Sequence, residues 1–390
     1  MKTLVIKNAR IVTPQQVIEE AAIVVRGERI AEIRSDNTYP ADAAVVDASG
    51  CTIVPGFIDV HVHGAAGYDT MDATPEALHG MAEFFAAHGV TSFLPTTVTA
   101  EHTALLAAIA NVAQCQQSYQ RGARILGVHL EGPYLSEVHP GAQPVQHIRP
   151  ADRAEYTQLF AQDNIRLISL APEKAENLAL IEYARSQGAV VAVGHSAASY
   201  DDVMQAVKAG LTQACHTFNG MAGLHHRTPG TVGAVLSCDD IYAQVIVDLI
   251  HLHPAVVKLL VRAKGTARTV LITDAIRAAG LPDGIYDLGG QSVSVRQGVV
   301  SLTHGNSLAG STLTMDQALR NVMKATGLPL VEALPMATSV PARSLGLDAD
   351  LGSILPDYLA DLVLLDQNLQ VQATIVLGNV VYQATEVLSQ

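Results

Sequence analysis

Tryptophan is absent from the 390 residues, and phenylalanine and tyrosine number only 6 and 11. A site built from stacked aromatic rings, such as a single-strand nucleic-acid platform, is therefore not expected. Charged residues make up 16%, and their balance is acidic: 24 Lys and Arg against 37 Asp and Glu, a formal charge of −13. This argues against a general nucleic-acid partner or a membrane-binding surface. An anionic small molecule would need a local basic pocket. The four cysteines (Cys51, Cys115, Cys215 and Cys238) stand far apart with no CxxC spacing. They read as reduced thiols rather than a disulfide frame. No stretch of about 18 residues is apolar enough to span a bilayer. The opening MKTLVIKNAR lacks the apolar core of a signal peptide, so a cytoplasmic location is expected. Fixed-period repeats and Ser- or Pro-rich linkers are missing too, which argues against a solenoid.

Apolar residues are plentiful at 49%, enough for a large core and too many for intrinsic disorder. Their pattern divides the chain. The first 55 residues alternate like short strands broken by turn residues, and so do the last 40 or so. Between them, apolar runs alternate with helical segments, the signature of a parallel sheet. Eight runs can be walked out: GFIDVHVH, VTSFLPTT, ARILGVHLEGP, IRLISLAPE, AVVAVGHS, LTQACH, IYAQVIVD and RTVLITDA. Eight βα units predict a (β/α)8 TIM barrel over residues 55–345. Residues 1–54 and 346–390 are expected to form a small β-sandwich from both chain ends. Residues 281–302 read as an inserted β-hairpin, and 313–325 and 330–340 as helices that pad the barrel.

Active residues of such barrels sit at the C-terminal ends of the strands. Those positions hold His61 and His63, Glu131, His195, His216 and Asp274. Imidazole and carboxylate are ligands of divalent transition metals. His61 and His63 are two apart on a strand, so both face one side and can grip one ion. Glu131 closes an apolar strand before Gly-Pro, an awkward place for a carboxylate unless a cation neutralises it. His129, two residues earlier and one layer deeper, reads as structural. Cys215, adjacent to His216, is expected to face the other way. Asp274 fits a base that takes a proton from activated water and returns it to a leaving group. A −13 protein must concentrate positive charge to hold a phosphate dianion. Arg227 in HHRTPG offers a planar fork for that, with His225, His226 and His251 in support.

The segments PGFIDVHVHG, HLEGPYLS, GHSAASYDD, HTFNGM, ITDA and LAGSTLTM resemble the amidohydrolase superfamily. Within it they are most similar to the N-acetylglucosamine-6-phosphate deacetylase family, in order from near residue 55 to near 366. The resemblance implies removal of acetate from the 2-acetamido group of an amino-sugar 6-phosphate. It implies a main metal site at Glu131, His195 and His216, with a second at His61 and His63, hence one or two ions. Zinc is the first expectation, with iron, manganese or cobalt as alternatives. Metal-bound hydroxide would be the nucleophile and Asp274 the acid/base. Substrate contacts carry over to Ala142, Gln143, Asn219, Gly220, Arg227, His251, Leu308, Ala309 and Gly310. Some members have histidine at the position of Gln143, and others differ at Gly220 and at His225-His226, which bears on sugar specificity. The resemblance also implies a homodimer with the phosphate site near the interface, so Arg227 or His251 is expected to come from the neighbour. The rival readings are another amidohydrolase reaction, such as a cyclic amidase or deaminase, and a barrel-shaped scaffold without catalysis.

Overall fold

Each of the eight apolar runs becomes a strand in the computed structural model, which describes residues 3–13, 16–35, 43–118, 121–305 and 307–384. The barrel strands are β1 (Phe57–Val62), β2 (Val90–Pro95), β3 (Val128–Glu131), β4 (Ile165–Leu170), β5 (Val190–Val193), β6 (Gln213–Ala214), β7 (Tyr242–Ile246) and β8 (Thr269–Ile272). Pairing is parallel from β3 through β8 and between β1 and β2. Two sets of backbone contacts complete the ring. Thr97 N–H donates to His129 O at 3.0 Å, and Asp274 N–H donates to His61 O at 2.9 Å. The result is a distorted (β/α)8 barrel, as the alternation of patterns predicted.

Local signals explain the helices between the strands. Thr74 caps Pro75–Ala87 with its side chain, and proline occupies the first turn, where no N–H is needed. Ser199 and Asp202 form a capping box on Tyr200–Ala209, which stops at Gly210 in a left-handed conformation. Two expectations need correction. Residues 281–302 form a three-stranded antiparallel meander (Gly284–Leu288, Gln291–Arg296, Val299–Leu302) rather than a hairpin. Two glycine turns, at Gly289-Gly290 and Gly298, reverse the chain twice, and all three glycines have positive φ. The helix expected over 330–340 is split into Leu330–Ala333, a 3-10 turn Leu334–Ala337 and Ser339–Ser344. Pro335 and Pro341 lack the N–H that a continuous helix would need at those positions.

Both chain ends contribute to one eight-stranded sheet with β-sandwich character. Thr3–Val12 splits its pairing: Leu4 to Lys7 lie beside Ala44–Asp47, while Arg10 and Ile11 lie beside Thr52–Pro55. Irregular register around Asn8, whose φ is 59°, makes the switch. Leu362–Leu365 pairs antiparallel with Thr52–Pro55, so the end of the chain is joined to the strand that leads into β1. Ile6, Ile11, Ile23, Ile53, Leu362 and Ile375 form a core of their own there. The sheet docks on the barrel through Thr374 Oγ1, which donates to Ala86 O at 2.6 Å, and through the Arg124–Asp361 ion pair at 2.8 Å.

Candidate metal centre and substrate cavity

Six side chains converge at the C-terminal mouth of the barrel. Glu131 Oε1 lies 3.0 Å from His216 Nε2, 3.3 Å from His195 Nε2 and 3.5 Å from His61 Nε2. Glu131 Oε2 lies 3.3 Å from His63 Nε2. Asp274 Oδ1 closes the ring at 3.2 Å from His63 Nε2 and 3.5 Å from His61 Nε2. All six are buried. The backbone is bent to bring them there: His195, His216 and Asp274 have φ of 45°, 20° and 50°. Such conformations cost energy for side chains other than glycine and cluster at functional sites.

The tautomers can be deduced. Each imidazole turns Nδ1 toward an oxygen. His63 faces Thr96 O at 3.2 Å, His195 faces His139 O at 3.0 Å and His216 faces Asn219 O at 3.1 Å. His61 faces Gln244 Oε1 at 3.2 Å. A carbonyl oxygen only accepts, so each Nδ1 carries hydrogen, and a ring in its neutral form points its Nε2 lone pair inward. His61 Nε2 is buried without a hydrogen-bond partner among the described residues. Four lone pairs and two carboxylates facing one another require positive charge at their centre. Without a cation, protons on the imidazoles supply that charge. Burial works against charging His61 and His63, but Glu131 and Asp274 outweigh it, lifting His61 well above 6.5 and His63 to about 9. Burial likewise opposes ionised Glu131 and Asp274. The imidazoles, His61 foremost, nevertheless hold Glu131 well below the usual carboxylate range and Asp274 at about 2. This donor set fits divalent cations, one or two of them.

A cavity of about 240 Å³ opens above the cluster, lined by His63, Glu131, His195, His216 and Asp274. Ala142, Gln143, Asn219, Gly220, His251, Leu308 and Gly310 line it as well. Ala309 is fully buried between two lining residues, within the small core that supports the meander. His61 is also fully buried and lies beneath the cavity wall. Gly220 has φ 60°, and a Cβ there would meet His195 Nδ1 at 2.8 Å, so glycine is required on both counts. Gln143 accepts from Thr99 N–H at 2.8 Å through Oε1 and donates from Nε2 to Glu131 Oε2 at 2.7 Å. His251 Nδ1 meets Asp248 Oδ2 at 2.7 Å. Burial disfavours its charged form, yet Asp248 raises it above 6.5, so this wall of the cavity keeps positive charge to higher pH than a free histidine would.

Arg227 is not brought to the cavity. It is exposed, its Nη1 lies 2.7 Å from His226 Nε2, and it borders a separate surface hollow with Ser199, Tyr200 and Thr228. The chain leaves β6 by a loop that carries HHR outward before Gly230–Ser237 begins. Cys215 also departs from expectation. Its Sγ points into the barrel interior, 2.7 Å from Ser169 Oγ and 3.9 Å from His129 Nε2. Strand alternation stops at Ala214, and the positive φ of His216 lets adjacent residues share one side. His129 is structural, as expected: its ring nitrogens face Val60 O at 3.1 Å and Ser169 Oγ at 2.6 Å. Sequence reasoning missed Asp59, Gln244, Val98, Leu288 and Ser307. Asp59 was within reach, because Asp59, His61 and His63 alternate onto one face. It accepts from Thr273 Oγ1 at 2.5 Å and ties β1 to β8, while burial raises its carboxyl to about 6.

Residues 52–381 match the Amidohydrolase family. The chain belongs to the amidohydrolase family. As an amidohydrolase it is an enzyme of metal-dependent hydrolysis, and the complete ligand set excludes a scaffold without catalysis. It is 41% identical over 372 residues to an N-acetylgalactosamine-6-phosphate deacetylase of Escherichia coli O157:H7, covering 95% of this chain and 97% of that one. It is 42% identical over 334 residues to an N-acetylglucosamine-6-phosphate deacetylase of Vibrio furnissii, covering 85% and 83%. Among solved structures, a mutant N-acetyl-D-glucosamine-6-phosphate deacetylase of Mycobacterium smegmatis, in complex with N-acetyl-D-glucosamine-6-phosphate, superposes with a TM-score of 0.92. That protein is 31% identical, and the match covers 98% of this amidohydrolase and all of that chain. No helix among the described residues is long and apolar enough to cross a membrane.

Proposed function

We propose that this amidohydrolase removes acetate from N-acetyl-D-glucosamine 6-phosphate, giving D-glucosamine 6-phosphate. The reading is carried by one observation: five of the six cluster residues and His251, paired to Asp248, line a single small cavity. The cluster suits an amide to be hydrolysed, and His251 suits a phosphate to be held.

Glu131, His195 and His216 would hold the main cation, and His61 with His63 a second. A divalent cation there, zinc first and iron, manganese or cobalt next, polarises the acetyl carbonyl and makes water nucleophilic near neutral pH. The chain's own groups do the rest. Asp274, held at about 2, is ionised across the neutral range and can accept the proton of the attacking water. It returns that proton to the sugar nitrogen as the C–N bond breaks, so that an amine leaves rather than an amide anion. Asn219, Gly220, Ala142, Leu308 and Gly310 surround the sugar, with the buried Ala309 fixing the segment between the last two. Gln143 sits beside Glu131 with its amide aimed at the reacting end. His251 contacts the phosphate from the same subunit. Arg227 reaches it only from a second copy, so the working form is a homodimer with the phosphate near the interface. Leu224 and Ile250, exposed on the segments that follow β6 and β7, support that arrangement.

Residues 55–345 are the catalytic barrel in this reading, and 1–54 with 346–390 the small domain. The four free, buried cysteines support a reducing, cytoplasmic setting.

A second reading has its own support. The Escherichia coli relative acts, by its name, on the galactosamine epimer and matches nearly the whole chain. The experiment is acetate release from both epimers as 6-phosphates and from the unphosphorylated sugars, before and after chelation and zinc restoration. Phosphate- and metal-dependent release is expected, fastest with the glucosamine epimer. Faster release with the other epimer transfers the assignment to it. No release from either phosphate by metal-loaded protein sinks the reading and turns the search to other amides and cyclic ureides.

A further inference from the structure

TIM-barrel interiors are usually filled by branched apolar side chains. Here two amides, Gln213 on β6 and Gln244 on β7, are fully buried inside. They form a chain with one possible orientation. It starts at Ser344 O, the last residue of the helix Ser339–Ser344. A backbone oxygen only accepts, so the Gln213 atom 3.1 Å away is Nε2. Gln213 therefore presents Oε1 to Gln244, whose Nε2 donates to it at 2.9 Å. That leaves Gln244 Oε1 facing His61 Nδ1 at 3.2 Å. Three steps from a backbone carbonyl thus decide which nitrogen of His61 carries hydrogen.

His61 differs in this from the other three imidazoles. His63, His195 and His216 hang on the backbone carbonyls of Thr96, His139 and Asn219, which cannot reverse. A lone glutamine amide can turn over and offer N–H instead of C=O, which would put the lone pair of His61 on Nδ1, away from the cluster. Gln213 removes that choice.

We infer that Gln244 and Gln213 are positioning residues that lock His61 with Nδ1 protonated and Nε2 free to ligate, with the orientation imposed from Ser344 on the far side of the barrel. This rests on the metal-site reading above. Gln244 acts directly on the ligand, and Gln213 acts through Gln244. Neither touches substrate.

The test uses the full-length protein and its Gln244→Leu, Gln244→Glu and Gln213→Leu variants. Zinc stoichiometry and affinity are read by competition with a chromophoric chelator, and the His61 ring tautomer by 15N–1H correlation of the zinc-loaded protein. Wild type is expected to show His61 protonated at Nδ1. Gln244→Leu is expected to weaken zinc binding at the His61–His63 end roughly 10–100-fold, the usual cost of losing such a support. Gln244→Glu keeps an acceptor for Nδ1–H and should hold His61 in the single Nδ1–H tautomer with affinity above that of Gln244→Leu, although its second oxygen meets Gln213 Oε1 without a donor. Gln213→Leu should fall between the two and show mixed tautomers.

A merely space-filling role predicts wild-type zinc affinity and a single His61 tautomer in both leucine variants, and that result overturns the inference. Should Gln244→Leu not fold, Gln213→Leu decides alone: wild-type affinity with a single tautomer overturns the inference, and weaker binding with mixed tautomers supports it. Failure of wild type itself to bind zinc would overturn the underlying metal reading instead, which separates the two outcomes.

Discussion

Gln143 donates from Nε2 to Glu131 Oε2 at 2.7 Å, and its other end is pinned by the Thr99 N–H. The amide cannot turn over, because its Oε1 must accept from that backbone donor. Gln143 therefore supports the carboxylate that bridges four imidazoles. Gln143→Leu should leave Glu131 Oε2 without this donor and lower metal affinity or turnover roughly 10–100-fold. Metal titration and steady-state kinetics on the phosphorylated sugar check this. Unchanged metal affinity together with a raised KM would make Gln143 a substrate contact only.

Asp274→Asn tests the proton transfer. The amide keeps the shape of the side chain but cannot take a proton from water. Turnover should fall by roughly 10²–10⁴-fold, the usual worth of a positioned acid/base. Metal content and substrate affinity should stay near wild type, measured by elemental analysis and by calorimetry with the substrate. A variant with near-normal turnover would remove Asp274 from this role.

The Asp248–His251 pair gives substrate binding a pH dependence. Asp248 raises His251 above its ordinary 6.5, so the imidazolium survives to higher pH than a free histidine would. The cationic form favours the phosphate. Affinity is thus fullest below the raised value and declines as pH climbs through it. Asp248→Asn should move that decline toward lower pH. The check is the pH profile of KM for the phosphorylated sugar, and identical profiles in both proteins would contradict the assignment.

Arg227 can be placed by mixing subunits. Arg227→Ala alone should raise KM for the phosphorylated sugar and leave the weak rate on the unphosphorylated one unchanged. Co-assembly of Arg227→Ala chains with Asp274→Asn chains should then recover activity, because one site per mixed dimer has an intact Asp274 and borrows the partner's arginine. Random pairing restores about a quarter of wild-type activity in a two-fold dimer. No recovery in verified mixed dimers would mean that each subunit uses its own Arg227.

Much of this was legible in the sequence, for a definite physical reason. Apolar runs that end in His, Glu or Asp are costly unless those residues meet at one place, so the six polar residues at five strand ends pointed to the mouth of the barrel. Side-chain direction past a strand end was not legible. Alternation predicted that Cys215 would turn away from His216, and the left-handed backbone at His216 defeated it. The polar residues inside β6 and β7 were visible as Gln213 and Gln244 in otherwise apolar runs, but their partner Ser344 lies 131 positions away from Gln213. Arg227 shows the opposite limit. Its charge could be read from the sequence, but its reach depends on a loop path that no local pattern encodes.

The pairing of Thr52–Pro55 with Leu362–Leu365 has a consequence for how the molecule is made. Gly56 N–H, at the entrance to β1, donates to Asp361 O at 2.9 Å, a partner that lies far downstream in the chain. At ~5–20 residues per second, the nascent chain waits on the order of tens of seconds with this edge unmet. The strand that delivers His61 and His63 is thus synthesised long before the partner that secures its entrance. A stalled or shortened translation product would carry both histidines and most of the barrel, yet lack the strand that anchors their entrance. The entrance to the metal centre is thus tied to a contact that forms only after the whole barrel has been made.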